Sequence, residues 1–401
     1  GGEGFEVTTY RLDGKYEDHR HPKQVEFTPV LREDLKRRDF TINAMAYSPE
    51  TGIVDLFDGM GDIERKCIRC VGDPMERFSE DALRMLRGIR FAGQLDFEIE
   101  KETEAAITKL AETIQNVSME RIRVEINKLL LSNNPEKMLL AEQTGLSRYF
   151  LPEFLTMLDT AQNNPNHCYD VGMHSLSAVR HVQEVYRQCR KEGQNELSPY
   201  RTEYSDKKVE TILVFSALLH DVGKPVCKTT DKEGVDHFYG HDARGSQMAH
   251  DIMRRLRFDN DTIHMVTEIV RYHERRYNGS RRALRRLISQ AGINVMPYLF
   301  LIQEADVLAQ SDYNREQKLA RIAEARELFL DIRKAHEAVC IKDLAVNGKD
   351  LISLGVKPGP EIGRVLRELL DVVIEEPDKN NSKLLLTEAE KRIKIETEEY
   401  Y

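Results

Sequence analysis

Beyond about its first seventy residues the chain carries the apolar spacing of α-helices almost without interruption. Leu83, Leu86 and Ile89 are an early example, with apolar side chains returning every three residues, as they do along one face of a helix. The segment before residue 70 instead contains short strand-like runs that Gly and Asp interrupt. Strands followed by helices predict a mostly α fold in which a small α/β head precedes a helical body.

The bulk composition limits the class of protein. The 401 residues, of which 32% are charged and 40% hydrophobic, are typical of a globular protein with several domains. No apolar run approaches the length of a membrane span, so no membrane partner is expected. The six cysteines are scattered, which favours a reducing, cytoplasmic location. Composition leaves the oligomeric state open.

The net charge of −9 argues against indiscriminate binding of nucleic acid, because neutralising phosphates requires cations. Any RNA contact is therefore expected at local basic segments. The strongest runs from residue 275 to 286 and contains six arginines and no acidic residue. It makes Arg281 and Arg282 candidate RNA contacts, with a merely solvated helix face as the alternative.

Five short motifs in the first third of the chain follow one order and spacing. They are EVTTYR at 6–11, EDLKRRDFTIN at 33–43, DLFDGMGDI at 55–63, EDALR at 80–84 and ERIR at 120–123. In this order they resemble the class II tRNA nucleotidyltransferases, which include CCA-adding enzymes and bacterial poly(A) polymerases. The resemblance implies a mostly α protein with an α/β nucleotidyltransferase head that lacks its N-terminal part, a helical neck, a helical HD domain and a helical tail. The implied boundaries are 1–65, 66–160, 161–315 and 316–401.

The EDALR motif contains a pair of residues suited to base selection. Asp81 and Arg84 are three apart, so on a helix they would lie on one face and could meet one planar partner. The carboxylate accepts hydrogen bonds and the guanidinium donates them in a fixed fork, which suits the amino donor and ring acceptor that cytosine and adenine share. Uracil and guanine would leave buried groups unpaired, at a cost of about 1–3 kcal/mol each. The resemblance implies this same role of amino-acid template; an ion pair within the helix is the alternative.

Other cationic residues of the head and neck are further candidates. Arg87 and Arg90 continue the three-residue stride from Arg84 and could meet the phosphates of a nucleotide or of RNA, with solvated side chains as the alternative. The resemblance implies that Arg38 and Asp39 contact the ribose. Arg121 and Arg123, in the ERIR motif, are candidate RNA contacts.

Phosphoryl transfer by two metal ions needs carboxylates that hold Mg²⁺. In the resembled family they lie in an Asp-x-Asp strand after a glycine-rich loop, and neither element precedes the EVTTYR motif here. Glu6 matches a supporting carboxylate, so the chain by itself is expected not to polymerise. Asp55, Gly59 and Asp62 match the family's flexible segment and are predicted to form a hinge between head and neck, with a plain turn as the alternative.

A second set of motifs lies between residues 170 and 312: DVGMHS, ALLHDVGKP, FYGHD, RYHE and EADVLAQSD. They resemble the HD phosphohydrolase superfamily, in which histidine and carboxylate ligands bind a divalent ion such as Ni, Mn, Co, Fe, Zn or Mg. The predicted metal ligands are His174, His220, Asp221 and Asp306. The residues predicted to contact phosphate are Lys224, His241 and His273. The implied activity is hydrolysis of a 2′,3′-cyclic phosphate or a phosphomonoester, and a degenerate structural relic is the alternative.

The segment from 341 to 370 resembles the tRNA-binding tail of bacterial CCA-adding enzymes. Lys357 and Gly359 precede a predicted helix whose free N–H groups could receive an RNA phosphate, although a capped surface helix would look the same. Together the motifs predict an enzyme that adds or repairs the 3′-terminal CCA of tRNA from CTP and ATP with Mg²⁺. The alternatives are a poly(A) polymerase, an HD phosphohydrolase whose head only binds RNA, and an inactive RNA-binding remnant.

Overall fold

The computed structural model describes residues 7–13, 25–191, 204–277 and 279–399. Within these ranges the chain is mostly helical, and its strands form two-stranded pairs. The predicted mostly α fold is confirmed.

The head consists of two antiparallel strand pairs and two short helices. Strand β1 (Arg11–Asp13) pairs with β2 (Val25–Phe27), and β3 (Met45–Ser48) pairs with β4 (Gly52–Asp55). The helices are α1 (Leu31–Lys36) and α2 (Gly59–Glu64). A small core of Leu35, Ala44 and Val71 holds these elements together.

The neck begins with the parallel pair β5 (Cys67–Ile68) and β6 (Glu98–Ile99). Its helices are α3 (Pro74–Glu80), α4 (Leu83–Leu95), α5 (Lys101–Leu110), α6 (Met119–Leu130), α7 (Met138–Gln143) and α8 (Glu153–Leu158). Helix α4 packs closely on α6, and a Cβ at Gly93 would lie only 2.6 Å from Leu129 Cδ1. The close approach of these two helices places the EDALR and ERIR motifs side by side.

The described residues of the next region form helices and one hairpin, joined by loops. Its helices are α9 (Val171–Lys191), α10 (Asp206–Leu219), α11 (Lys224–Cys227), α12 (His241–Arg255), α13 (Asn260–Tyr272), α14 (Arg281–Ala291) and α15 (Met296–Ala309). The hairpin pairs β7 (Thr229–Thr230) with β8 (Asp236–His237). Helices α10 and α15 are buried on nearly all sides, as expected for helices without a polar face, and they form the centre of this region.

One hydrophobic core extends from Phe40 to Val339, so the neck and the following helices are packed as one body. The tail helices α16 (Arg315–Lys334), α17 (Gly348–Ser353), α18 (Pro360–Glu375) and α19 (Ser382–Glu399) follow. The last three of them pack around a second core that includes Leu351, Val365 and Leu369. The predicted domain boundaries stay predictions. Among the described residues, no helix has the length and apolarity of a membrane span.

Candidate functional site

Six buried side chains meet at the ends of the central helices. His174 lies near the start of α9, and His241 is the first residue of α12. His220 and Asp221 directly follow α10, His273 directly follows α13, and Asp306 lies near the end of α15. Each is 5% exposed or less. We refer to them as the His/Asp cluster, which comprises His174, His220, Asp221, His241, His273 and Asp306.

Asp221 lies at the centre of the His/Asp cluster. Its Oδ2 atom is 3.2 Å from His220 Nε2 and 3.6 Å from His174 Nε2. Its Oδ1 atom is 3.3 Å from His241 Nε2 and 3.5 Å from His273 Nε2. The ligand atoms therefore form two groups of three that share Asp221, and within each group all atoms lie within 4.8 Å of one another.

The orientation of the four imidazoles favours metal binding. Each Nδ1 atom points at a backbone carbonyl: His220 to Ala217 at 2.8 Å, His241 to Phe238 at 2.7 Å, His273 to Val270 at 2.7 Å and His174 to Ala309 at 3.4 Å. An Nδ1–H that donates to a carbonyl leaves the Nε2 lone pair facing the cluster, as in metal-ligating histidines. The Nε2 atoms of His174 and His220 are 3.2 Å apart, and two lone pairs at that distance repel unless a cation or a proton lies between them.

The carboxylates of the cluster are ionised. Burial alone would raise the pKa of Asp221, but its interactions with His220 and Lys224 hold that pKa well below its usual value. Burial likewise opposes ionisation of Asp306, and a hydrogen bond with His174 together with the charge of Arg276 keeps its pKa well below normal. Asp306 Oδ1 lies 3.1 Å from His174 Nε2 and 3.8 Å from His220 Nε2, so this carboxylate lies beside the first group. Ionised carboxylates beside imidazole Nε2 atoms are a ligand set for a divalent transition metal.

Two histidines predicted to contact phosphate also face the central aspartate of the cluster. His241 and His273 were expected to contact a substrate phosphate, but their Nε2 atoms lie 3.4 Å apart and both face Asp221 Oδ1. Together with Asp221 they form a second group of atoms that could hold an ion, and the phosphate contact predicted for both histidines stays a prediction. The sequence separates them by 32 residues, so only the packing of α12 against α13 reveals the group.

Lys224 is buried beside the cluster. Its ammonium lies 2.7 Å from Asp221 Oδ2 and donates to Gln162 Oε1 at 2.8 Å. It therefore neutralises part of the cluster's charge, and the phosphate contact predicted for it stays a prediction. Burial lowers the pKa of the neighbouring His167 to about 3, so that imidazole is neutral. Motif reading missed Gln162 and His167 because the loop before α9 carries no ligand motif.

A cavity of about 430 Å³ opens beside the cluster. His241 and Lys224 line its inner part, and Tyr239, which is 80% exposed, lines its mouth. A second cavity of about 310 Å³ is lined by Arg276, Lys318 and Arg321 among others. Arg276 also donates to Asp306 Oδ2 at 2.5 Å. The second cavity therefore brings several positive charges near the cluster, while Glu274 lines both cavities.

The predicted geometry of the EDALR motif is wrong in one respect. Helix α4 begins at Leu83, and Asp81 lies before it with extended backbone (φ −141°, ψ 103°). The physical reason is that Asp81 Oδ1 accepts the N–H of Leu83 at 3.1 Å. Local bonds of this kind make aspartate favour positions just before the first turn of a helix over positions inside it. Asp81 and Arg84 therefore do not share a helix face.

Both side chains of the motif nevertheless stay partly accessible. Asp81 pairs with Arg121 of α6 at 2.8 Å and its side chain is 17% exposed. Arg84 pairs with Glu80 at 2.7 Å, donates to the Arg37 carbonyl at 2.9 Å and is 11% exposed. The motif thus links the head to both neck helices, and its role as a base template stays a prediction.

The other head and neck arginines fall into two groups. Arg87 pairs with Asp39 at 2.6 Å; burial would raise the pKa of Asp39, but the Arg87 charge lowers it below normal. Arg38 lies 3.4 Å from Asp34 and is 41% exposed. Arg90 instead is 6% exposed and is held by Glu125, which gives it a structural role within the neck, and the phosphate contact expected of it stays a prediction.

The predicted hinge residues are held in place by several hydrogen bonds. Asp55 accepts N–H groups of Gly59 at 2.9 Å and of Met60 at 2.8 Å, which fixes the start of α2. Asp62 is 1% exposed and accepts from Thr41 at 2.6 Å. A Cβ at Gly59 would lie 2.4 Å from the Thr41 carbonyl oxygen, so close packing explains this glycine. Hinge motion at this point stays a prediction.

The predicted RNA contacts are also partly occupied. Arg281 pairs with Glu337, and Arg282 pairs with Glu375 at 2.8 Å, so the basic run binds the tail's own carboxylates. Arg123 donates to the Arg257 carbonyl, and Lys357 and Gly359 are exposed before α18. Glu6 lies outside the described residues.

Comparison with known proteins places the chain. The family description "Poly A polymerase head domain" matches residues 1–69, "Probable RNA and SrmB- binding site of polymerase A" matches 96–158, and "tRNA nucleotidyltransferase domain 2" matches 243–389. The CCA-adding enzyme of Pediococcus pentosaceus is 34% identical over 391 residues, which cover 97% of this chain and 80% of that protein. The CCA-adding enzyme of Enterococcus faecalis is 31% identical over 393 residues, covering 97% and 78%. The chain belongs to the CCA-adding enzyme family of nucleotidyltransferases.

A solved structure supports the fold. The crystal structure of the Bacillus stearothermophilus CCA-adding enzyme in complex with CTP superimposes with a TM-score of 0.63 at 23% identity, covering 99% of this chain and 81% of that one. The resemblance predicted from the head motifs is therefore confirmed. Four of the six cluster residues, namely His174, His220, Asp221 and His241, fall between the second and third matched segments.

Proposed function

We propose that the protein as encoded adds nucleotides to the 3′ end of tRNA, taking CTP and ATP as substrates. One observation carries the proposal: identity of 34% to a CCA-adding enzyme over 97% of the chain. The description of a tRNA nucleotidyltransferase domain over residues 243–389 and the CTP bound to the structural relative point to the same substrates. The poly(A) polymerase alternative is not favoured, because the relatives that match nearly the whole chain are CCA-adding enzymes.

Direct binding tests this proposal. A labelled tRNA that lacks its terminal CCA is expected to bind the chain more tightly than the same tRNA carrying a complete CCA, because the incomplete end leaves the nucleotide site free. Both affinities should fall with salt, by about one power of salt concentration for each phosphate contacted. Fluorescence anisotropy from 50 to 300 mM KCl measures both effects. Equal affinity for tRNA and for an unstructured RNA of the same length would contradict the proposal.

A second function is supported by the His/Asp cluster. We infer that the cluster binds two divalent ions, one held by His174, His220, Asp221 and Asp306 and the other by Asp221, His241 and His273. The ligand atoms that converge within 4.8 Å support this inference, as do four Nδ1 atoms directed at carbonyls. When bound, such ions supply Lewis acidity that polarises phosphorus–oxygen bonds and activates water. The chain's own part is to orient the ligands and to offer Lys224 beside the cavity.

His220→Ala tests metal binding and hydrolysis together. The variant should bind less Mn²⁺ or Ni²⁺ and should lose hydrolysis of a 2′,3′-cyclic nucleotide, because it removes one ligand of the first group. In the parent, metal at 100 times its Kd should stabilise the fold by about 2.7 kcal/mol, an effect that EDTA removes. His250→Ala changes an exposed histidine of α12 and serves as the matched control. Equal metal content and equal rates in His220→Ala and the parent would refute the inference.

A further inference from the structure

A basic groove lies where the neck meets α10 and the α12–α13 turn. It encloses about 560 Å³. Its cationic lining residues are Arg123, Lys128, Lys207, Lys208 and Arg257, and we refer to them as the basic groove. Asp259 is the acidic residue in the same lining. A chain with a net charge of −9 therefore concentrates positive charge at this junction.

The cations of the groove differ in how far they are neutralised. Lys208 pairs with Asp259 at 2.8 Å and with Asp261 at 3.6 Å. Lys128, Lys207 and Arg257 are exposed, and no carboxylate of the described residues lies within ion-pair distance of them. This contrasts with Arg281 and Arg282 of α14, which bind the tail's own glutamates. Charge in the groove is thus available to a partner.

The backbone at Arg257 adopts a left-handed conformation in the turn between α12 and α13. Arg257 follows α12 with φ +59°, a left-handed conformation that costs a non-glycine residue free energy and that glycine usually occupies at helix ends. Its carbonyl accepts a bond from Arg123, and the Arg123 guanidinium lies 5.1 Å from the centre of the Phe258 ring. The contacts hold the α12–α13 turn against neck helix α6. Arginine therefore occupies a position where glycine would fit with less strain.

We propose that this groove binds the phosphate backbone of the tRNA substrate, so that the helices around the His/Asp cluster form part of the RNA-binding surface. The inference rests on the proposed tRNA function. Helix α6, which forms one wall, falls in the segment matched by an RNA-binding family description. The other wall comes from α10 and the turn after α12. Lysine and arginine on both walls of the groove suit a polyanion, and Phe258 and Val124 offer apolar surface to sugars or unstacked bases.

Charge reversal on the wall away from the neck tests the proposal. The double variant Lys207→Glu with Arg257→Glu should bind tRNA at least about 10-fold more weakly near 0.15 M salt, and its salt slope should fall by about 1.4–1.8, the share of two phosphate contacts. The control double variant Lys232→Glu with Arg244→Glu makes the same charge change on exposed residues of the same region, outside the groove. It should bind within about threefold of the parent with an unchanged slope.

Arg257→Gly separates binding from folding. Because glycine relieves the left-handed strain, the variant should melt at the same temperature as the parent or higher while binding tRNA more weakly. Unchanged tRNA binding in both groove variants, or equal capture of polyglutamate and tRNA by the parent, would overturn the proposal. A parent chain that binds no tRNA at all would instead refute the proposed function itself.

Discussion

Asp221→Asn is expected to empty both metal sites and to lower metal-dependent phosphate hydrolysis by about 10³-fold or more, the scale seen when an essential member of a catalytic unit is removed. The carboxylate contributes to both ligand groups, with its two oxygens 3.2–3.5 Å from three of the four Nε2 atoms. Asparagine keeps the shape and loses the charge. Metal content by mass spectrometry and turnover of a cyclic nucleotide measure the two effects.

Two further variants make the result specific. His273→Asn removes a ligand of the second group only, so the protein should keep about one ion per chain where the parent keeps two. Asp312→Asn changes an exposed aspartate near the end of α15 and should keep both. Full metal content in Asp221→Asn would contradict the assignment of a shared ligand. A loss of both ions in His273→Asn would show instead that the groups do not fill independently.

Arg84→Ala is expected to remove most of the preference of nucleotide addition for CTP and ATP over UTP and GTP. If Arg84 and Asp81 read the pairing edge of the base, each unmatched buried group costs about 1–3 kcal/mol, which corresponds to about 5- to 150-fold in relative kcat/KM. Arg84→Lys should also lose selectivity, since an ammonium lacks the fixed donor fork. The measurement is kcat/KM for each of the four nucleoside triphosphates on a tRNA that lacks its end.

Arg84 also holds the neck, so a structural control is needed. Glu80→Gln removes its ion pair at 2.7 Å and leaves both proposed base-reading side chains in place. That variant should keep its preference for CTP and ATP within a few-fold even if its stability falls. Selectivity lost equally in Glu80→Gln and Arg84→Ala would assign the motif to packing.

The sequence predicts well what depends on local pattern. The mostly helical body follows from apolar spacing, and His220 with Asp221 follows from a dipeptide placed directly after an apolar helix. What depends on distant segments could not be read in this way. The pairing of His241 with His273 needs α12 and α13 to pack, and the neutralisation of Arg281 needs Glu337, which lies 56 residues away.

Local chemistry also explains the error at the EDALR motif. The three-residue spacing predicts that Asp81 and Arg84 lie one helical turn apart, but this prediction holds only if one helix includes both residues. The aspartate instead bonds the backbone two residues ahead and ends the preceding helix. The burial of Arg90 could not be predicted from the sequence either. It lies three residues from Arg87 and was expected at the surface, but Glu125 of a neighbouring helix pairs with it in the interior.

The most direct test of the central claim is the 3′-end sequence of tRNA after reaction with the protein as encoded. A tRNA that ends at its discriminator base is incubated with all four nucleoside triphosphates and Mg²⁺, and the product ends are sequenced. Addition of C, C and A in that order, and then termination, is the expected result. A run of adenylates, or incorporation of U and G at rates comparable to C and A, would contradict the account.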